Sequence, residues 1–325
     1  MSIQNQIFNI KTEKEFSALA VEVFKHQFLN NSIYNKFCSH LNIDPAQVDN
    51  IYKIPFLPIE FFKTQEIKTG EFDAEQVFLS SGTTGTSQSK HFVKDLSLYE
   101  RSYIEAFKQF YGDIENYCVL GLLPSYLERE GSSLIYMVDD LIVKSKNSES
   151  GFFLNNHEDL LNILSENIKN NQKTMLFGVS FALLDLAESY QIDLSDVVIM
   201  ETGGMKGRRK ELTREELHKI YKKSFNVSKI HSEYGMTELL SQAYSKGDGE
   251  FETPSWMKII IRDINDPFHY LEANKTGGIN VIDLANINSC SFIATQDLGK
   301  QREKGFEVLG RFDNSDLRGC NLLIS

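Results

Sequence analysis

Apolar and polar positions alternate along the chain in two textures. Residues 14–28 place Phe16, Leu19, Ala20, Val23, Phe24 and Phe28 at helical spacing, which predicts an amphipathic helix. In Ile54-Pro55-Phe56-Leu57-Pro58 the two prolines exclude a helix and predict an extended segment. From residue 76 onward, short apolar runs alternate with helical periodicity. The runs are Gln76-Val77-Phe78-Leu79, 118–122, 175–179, 197–200 and a strand beginning at Lys229-Ile230-His231. Helices are expected at 96–110, 158–169, 181–189 and 213–224. Strands of continuous apolar character between helices predict an α/β architecture with a largely parallel, covered sheet. After about residue 245 the long helices stop. Runs at 257–261, 279–282, 292–295 and 306–309 read as strands, with turns at Gly277-Gly278 and Asn314-Ser315. The pattern divides the chain into an α/β part over 1–245 and a β-rich part over 246–325. It shows no internal repeat and no low-complexity tract.

Composition narrows the class. The 325 residues carry 34 Lys+Arg against 45 Asp+Glu, a net charge of −11. That balance argues against nucleic acid as a partner held by overall charge. It leaves room for a local cationic pocket. The N-terminus has neither a basic nor an apolar stretch of the secretory kind, and no run reaches the roughly 18 apolar residues of a membrane span. The four cysteines, Cys38, Cys118, Cys290 and Cys320, form no C-x-x-C pair, and no histidine lies at zinc spacing from them. A cytoplasmic chain with reduced thiols is expected. Cys38, Cys118 and Cys290 lie among apolar neighbours and read as buried small hydrophobes. Cys320 follows Gly319 near the C-terminal end, where mobility is expected.

The segment richest in chemistry is Leu79-Ser80-Ser81-Gly82-Thr83-Thr84-Gly85-Thr86-Ser87-Gln88-Ser89-Lys90. Glycines let the backbone approach an anion, hydroxyls and N–H groups donate to phosphate oxygens, and Lys90 adds charge. The segment is neither a Walker A loop nor G-x-G-x-x-G. Its plain alternative is a flexible surface linker.

Ser81-Gly82-Thr83-Thr84-Gly85 resembles the phosphate loop of the adenylate-forming superfamily, which includes acyl-CoA synthetases, luciferases and peptide-synthetase adenylation domains. Four further segments, in the family's order, carry the same resemblance. They are Gly203-Gly204 within Glu201-Thr202-Gly203-Gly204-Met205, then Tyr234-Gly235-Met236-Thr237-Glu238, then Thr295-Gln296-Asp297 with Gln in place of the family's Gly, then Gly310-Arg311-Phe312-Asp313. The sequence ends soon after the last of them. Within the superfamily, the chain is similar to the LuxE-type acyl-protein synthetases. Ser87-Gln88-Ser89 after the loop, Ile54-Pro55-Phe56-Leu57-Pro58 before Phe61-Phe62-Lys63, Leu123-Pro124-Ser125-Tyr126-Leu127 and the ending Arg318-Gly319-Cys320 carry that likeness. The implied fold is the large N-terminal domain of adenylate-forming enzymes with a β-rich subdomain, lacking the usual C-terminal domain and its lysine. Lys63, Lys90 or a partner protein are candidates to replace that charge.

The resemblance implies two half-reactions, acid plus ATP to acyl-AMP and pyrophosphate, then displacement of AMP by a nucleophile. It implies that Ser81, Gly82, Thr83, Thr84, Gly85 and Lys90 hold phosphates, that Thr237 contacts the α-phosphate, and that Glu238 binds Mg²⁺. Gly203, Gly204 and Tyr234 would flank adenine, with Asp297 on the ribose and Arg311 on ribose or phosphate. Gly178, Val179, Ser180 and His231 would line the acyl pocket. Cys320 would accept the acyl group, since a thiolate attacks a mixed anhydride readily. Each has a plainer reading. Glu238 could be a solvated carboxylate at a helix start, Tyr234 a core tyrosine, Asp297 a turn residue, Arg311 a surface ion pair, His231 a structural histidine and Cys320 a buried thiol. Lys206-Gly207-Arg208-Arg209-Lys210 reads as a solvated loop or as a contact for an acidic partner. The expected activity is ATP-dependent activation of a carboxylic, specifically fatty, acid and transfer to Cys320 or a partner such as a reductase. Transfer to coenzyme A or an acyl carrier protein, as in phenylacetate-CoA ligase, is the first alternative. A nucleotide- or acyl-binding subunit without turnover is the second.

Overall fold

The structure is a computed structural model that describes residues 3–81, 88–124, 131–154, 156–203 and 212–312. Contacts divide the chain into two compact units. One is Phe72–Pro254; the other joins Met1–Glu71 to Ser255–Ser325.

The Phe72–Pro254 unit is a mixed α/β layer structure. Its sheet runs in the order Gly151–Phe152, Cys118–Leu122, Thr174–Val179, Val197–Thr202, His231–Tyr234, Ala243–Ser245. The pairings are parallel as far as His231–Tyr234, and Ala243–Ser245 closes the edge antiparallel. Cys118–Leu122 and Thr174–Val179 are buried at every position, as their unbroken apolar character requires. Helices Leu96–Tyr111, His157–Lys169, Ser180–Ser189 and Arg214–Ser224 fall where the periodicity predicts them. Local chemistry fixes their starts. Asp95 caps the first, and Thr213 with Glu216 forms a capping box on the last. A further helix, Ser133–Ser145, was not expected; Ser132 caps it and Met137, Val138 and Leu141 are its buried face. The run Gln76–Leu79 does not join the parallel sheet. It forms a separate antiparallel hairpin with Lys90–Val93, placing Phe78 opposite His91 and Leu79 opposite Lys90. The strand expected from Lys229 begins two residues later, at His231.

The second unit sets N-terminal helices on an antiparallel sheet. Helix Glu13–Asn30 starts with a Thr12–Glu15 capping box and buries Phe16, Leu19, Ala20, Val23 and Phe24. Strands Met257–Arg262, Thr276–Asp283, Phe292–Gln301 and Phe306–Arg311 pair in sequence order. The extended segment at the two prolines supplies Leu57–Pro58, parallel to Phe292–Gln301 with Leu57 opposite Ile293. Gln27, wholly buried, pins the helix to the connection at 284–291 between two strands of the sheet. Its Nε2 donates to the carbonyls of Asn286 and Ile287, each at 3.0 Å, and its Oε1 accepts from the N–H of Ser291 at 2.9 Å. Asn31 Nδ2 and Thr69 Oγ1 both donate to the carbonyl of Ser289, at 2.9 and 2.6 Å.

Gly277 and Gly278 are not a turn. Both lie inside strand Thr276–Asp283. A Cβ on Gly277 would stand 2.1 Å from the carbonyl oxygen of Arg262, and one on Gly278 would stand 2.6 Å from its guanidinium carbon. The glycines are there for close approach of Arg262, which donates to the carbonyls of Ile279 and Thr295. Cys38, Cys118 and Cys290 are buried and free, as expected. Burial pushes the thiols of Cys38 and Cys290 up to about 12, so they are inert. No helix among the described residues is long and apolar enough to cross a membrane.

Candidate active site

The parallel register of the Phe72–Pro254 unit gathers several candidate residues at one end of its sheet. Gly178 stands opposite Glu201, Val179 opposite Thr202, and Glu201 opposite Ser232. Ser180 opens the next helix; its Oγ lies 3.5 Å from the carbonyl of Gly203, and its own carbonyl accepts from Tyr221 Oη at 2.7 Å. Gly203 follows its strand at φ +68°, a left-handed turn that suits glycine. A Cβ on Gly178 would stand 2.5 Å from Leu183 Cγ, so glycine is needed for the helix to fold back. Gly178 and Val179 end one parallel strand, Ser180 and Gly203 follow theirs, and Gly235 to Glu238 follow strand His231–Tyr234, which His231 starts. His231 apart, these residues lie at and just beyond the carboxyl ends of parallel strands. Open α/β sheets bind ligands there.

The segment 235–242 is outside helix and strand, yet it is tied down at several points. The carbonyl of Met236 accepts from the N–H of Leu239 at 3.0 Å, and the Oγ atoms of Ser241 and Ser102 lie 3.0 Å apart. The carbonyl of Thr237 accepts from His91 Nδ1 at 2.8 Å. A Cβ on Gly235 would come within 2.2 Å of Glu233 Oε1. Glu233 in turn accepts from Thr202 Oγ1 at 2.5 Å, and enclosure of its carboxyl pushes it up to about 7. Tyr234 is buried with its ring edge-on to Phe251 at 6.0 Å. Glu238 is buried as well, which removes the reading as a solvated helix-start carboxylate. His231 hydrogen-bonds Tyr111 Oη at 3.1 Å, and burial, aided by Lys246 and Lys229, lowers it to about 4. It is a neutral, partnered ring.

The hairpin carries the ends of the glycine-hydroxyl loop. The N–H of Ser80 donates to the carbonyl of Ser89 at 3.0 Å, and the N–H of Ser89 to Ser80 Oγ at 2.8 Å. Gln88 Nε2 donates to the carbonyl of Ser80 at 2.8 Å. Ser81 and Lys90 are exposed beside this closure. Gly82, Thr83, Thr84, Gly85, Gly204, Cys320 and the basic run at 206–210 lie outside the described residues.

Asp297 and Arg311 belong to the other unit. They face each other across adjacent antiparallel strands, and Arg311 Nε lies 3.4 Å from Asp297 Oδ1. Asp297 is therefore a strand residue and not a turn residue, and Arg311 is an exposed ion-pair partner. His91 was missed by sequence reading. It lies 146 residues from Thr237, and only alternation within a four-residue strand marks it as inward-facing.

Residues 7–110 match the family acyl-protein synthetase, LuxE. Over that stretch the chain is similar to the LuxE acyl-protein synthetases. A long-chain-fatty-acid–luciferin-component ligase of Vibrio harveyi is 22% identical over 353 residues, covering 98% of this chain and 90% of that one. Among solved structures, an open conformation of 2-hydroxyisobutyryl-CoA ligase in complex with 2-HIB-AMP and CoA superposes with a TM-score of 0.65 at 9% identity. The match covers 94% of this chain and 72% of that one. ATP-bound MatB from Rhodopseudomonas palustris gives 0.55 at 15% identity, over 75% of this chain. This chain spans 49% of that MatB chain. The family model and the curated relative point to an acyl-protein synthetase and a ligase as what the chain is similar to, and by structure the fold is that of 2-hydroxyisobutyryl-CoA ligase and MatB.

The residues present suit a divalent cation held together with a nucleotide. Among the described residues, no cluster of three or more His, Cys, Asp or Glu is arranged to hold a metal by itself. The one buried carboxylate of the Tyr234–Glu238 motif, Glu238, is a hard oxygen donor. Glu238 would supply one oxygen ligand to a Mg²⁺ ion, a cation that usually keeps several waters and binds through one or two carboxylates together with phosphates.

Proposed function

We propose that this chain activates a carboxylic acid with ATP and passes the acyl group to a thiol. A carboxylate oxygen of the acid attacks the α-phosphorus, the bond from that phosphorus to the α–β bridging oxygen breaks, and pyrophosphate leaves. A thiolate then attacks the carbonyl carbon of acyl-AMP, the C–O bond to AMP breaks, and a thioester forms. The thiol proton passes to solvent.

The observation that supports this reading most is the placement of Thr237 and Glu238. They lie beyond the carboxyl ends of parallel strands, and a 2.8 Å hydrogen bond joins Thr237 to the hairpin that closes the glycine-hydroxyl loop. In the first step negative charge grows on the phosphates, so catalysis needs donors fixed in advance. The Thr237 hydroxyl serves the α-phosphate, and Ser81 to Gly85 with Lys90 serve the leaving pyrophosphate. Mg²⁺, when bound by Glu238, neutralises phosphate charge. Gly178, Val179 and Ser180 border the acyl group. The Vibrio harveyi relative's name points to a long-chain fatty acid as substrate. Cys320 is the proposed internal acceptor, with a partner protein as the final one.

The test combines two measurements. Protein incubated with ATP, Mg²⁺ and a panel of fatty and short acids is assayed for ATP–pyrophosphate exchange, then weighed intact. Exchange plus a hydroxylamine-labile acyl adduct that is lost in Cys320→Ala is the expected result. Exchange without an adduct moves the acceptor to coenzyme A or a carrier. No exchange with any acid overturns the reading.

A further inference from the structure

We propose that His91 is a positioning residue that sets the peptide between Thr237 and Glu238 from the strand that closes the glycine-hydroxyl loop; this rests on the adenylation reading above. A carbonyl only accepts, so the 2.8 Å contact from Nδ1 to the Thr237 oxygen requires the proton on Nδ1. The ring is 1% exposed, and burial lowers its pKa to about 4, so the neutral Nδ1–H form persists throughout the neutral range. The register of the hairpin explains why the ring is held. His91 stands opposite Phe78, itself buried, and one residue beyond the Leu79–Lys90 pair that precedes the loop closure at Ser80 and Ser89.

The consequence lies in peptide geometry. A trans peptide is planar, with its C=O and N–H pointing in opposite directions. Holding the Thr237 carbonyl against His91 therefore also fixes the direction of the Glu238 N–H on the far side. It fixes the backbone from which the Thr237 hydroxyl and the Glu238 carboxylate project. Segment 235–242 lies outside helix and strand, so side-chain contacts such as the bond from His91 hold its backbone where a ladder would otherwise do so. The strand Lys90–Val93 and the Thr237–Glu238 peptide are thereby tied to each other through one directed hydrogen bond.

Three variants test this against a merely structural role. Asn places its Nδ2 donor near the site of histidine Nδ1, Gln places it near the site of Nε2, and Leu fills the space without a donor. His91→Leu is expected to lower kcat for ATP–pyrophosphate exchange by about 10- to 100-fold, the cost of misplacing catalytic groups by an ångström or less. KM for the acid should hold. His91→Asn should recover most of the loss and His91→Gln should not, with melting temperatures measured for all three. Equal loss in the Asn and Gln variants, tracking melting temperature, overturns the inference and leaves a core histidine. So does full exchange activity in His91→Leu. Absence of exchange in the wild type with every acid overturns the adenylation reading itself, and this inference with it.

Discussion

Two regions bury polar side chains and use them differently. In the unit of residues 1–71 and 255–325, the amide of Gln27 engages backbone groups at both of its ends. At the sheet end of the Phe72–Pro254 unit, Ser232 Oγ, Gln242 Oε1 and Tyr244 Oη are buried with no hydrogen-bond partner among the described residues. Glu233 stands opposite Tyr244 on the neighbouring strand, its carboxyl pushed up to about 7. The Gln27 amide is matched at both ends and serves stability, although Asn280 Nδ2 in the same unit is also buried without a partner among the described residues. The three unmatched atoms of the second region lie together near the Tyr234–Glu238 motif, on or beside one pair of antiparallel strands.

The comparison can be broken by exchanging the consequences. The largest expected effect is on chemistry. Glu238→Ala should lower ATP–pyrophosphate exchange by about 100-fold or more, the usual cost of removing a group that serves charge in the transition state. Its melting temperature should change little, which circular dichroism checks. Gln27→Leu should do the reverse. It strands the Ser291 N–H and the Ile287 carbonyl, each worth about 1–3 kcal/mol, while the Asn286 carbonyl keeps the Ser289 N–H, so urea unfolding should show a loss of about 3 kcal/mol. Exchange activity per folded molecule should persist. If Gln27→Leu abolishes activity in fully folded protein, the division between the two regions is wrong.

A smaller effect concerns pH. Glu233 has a folded pKa near 7 against a usual 4.5, so the native state binds more protons than the unfolded state between those values. Its contribution to stability is therefore largest below pH 4.5, falls as pH rises toward 7, and is level above it. Glu233→Gln keeps an acceptor for Thr202 and removes the titration. The stability difference, variant minus wild type, should grow by about 2 kcal/mol between pH 4.5 and 7, measured by chemical unfolding. A flat difference would show that the carboxyl is not enclosed. Smallest of all, Tyr244→Phe removes a hydroxyl that has no partner among the described residues. Its stability should stay within about 1 kcal/mol of wild type, on the favourable side.

Much of this fold was legible because burial on both faces leaves a continuous apolar strand, and one-sided burial leaves a 3.6-residue period. Thr174–Val179 and Leu96–Tyr111 are clear instances. What escaped depends on distant partners. Lys90–Val93 is four residues long and polar at its start, so it declares itself only against Gln76–Leu79. Gly277-Gly278 carries a turn signature, and the guanidinium that needs those glycines comes from another strand. In the candidate site, Tyr234 to Glu238 could be picked out by resemblance because the motif is contiguous. His91 could not, because its meaning is a single contact with a backbone oxygen.

The pairing of Leu57–Pro58 with Phe292–Gln301 also sets an order of events during synthesis. The ribosome releases the first 71 residues long before their sheet exists, and helix Glu13–Asn30 must keep its apolar face covered until Phe292 and its neighbours emerge. The stretch from Phe72 to Pro254 is meanwhile contiguous and can complete its own sheet first. Nascent chains halted near residue 260 should thus hold a protease-resistant middle and a cleavable N-terminal arm, so the N-terminal arm is the part of the newborn chain that most needs a chaperone.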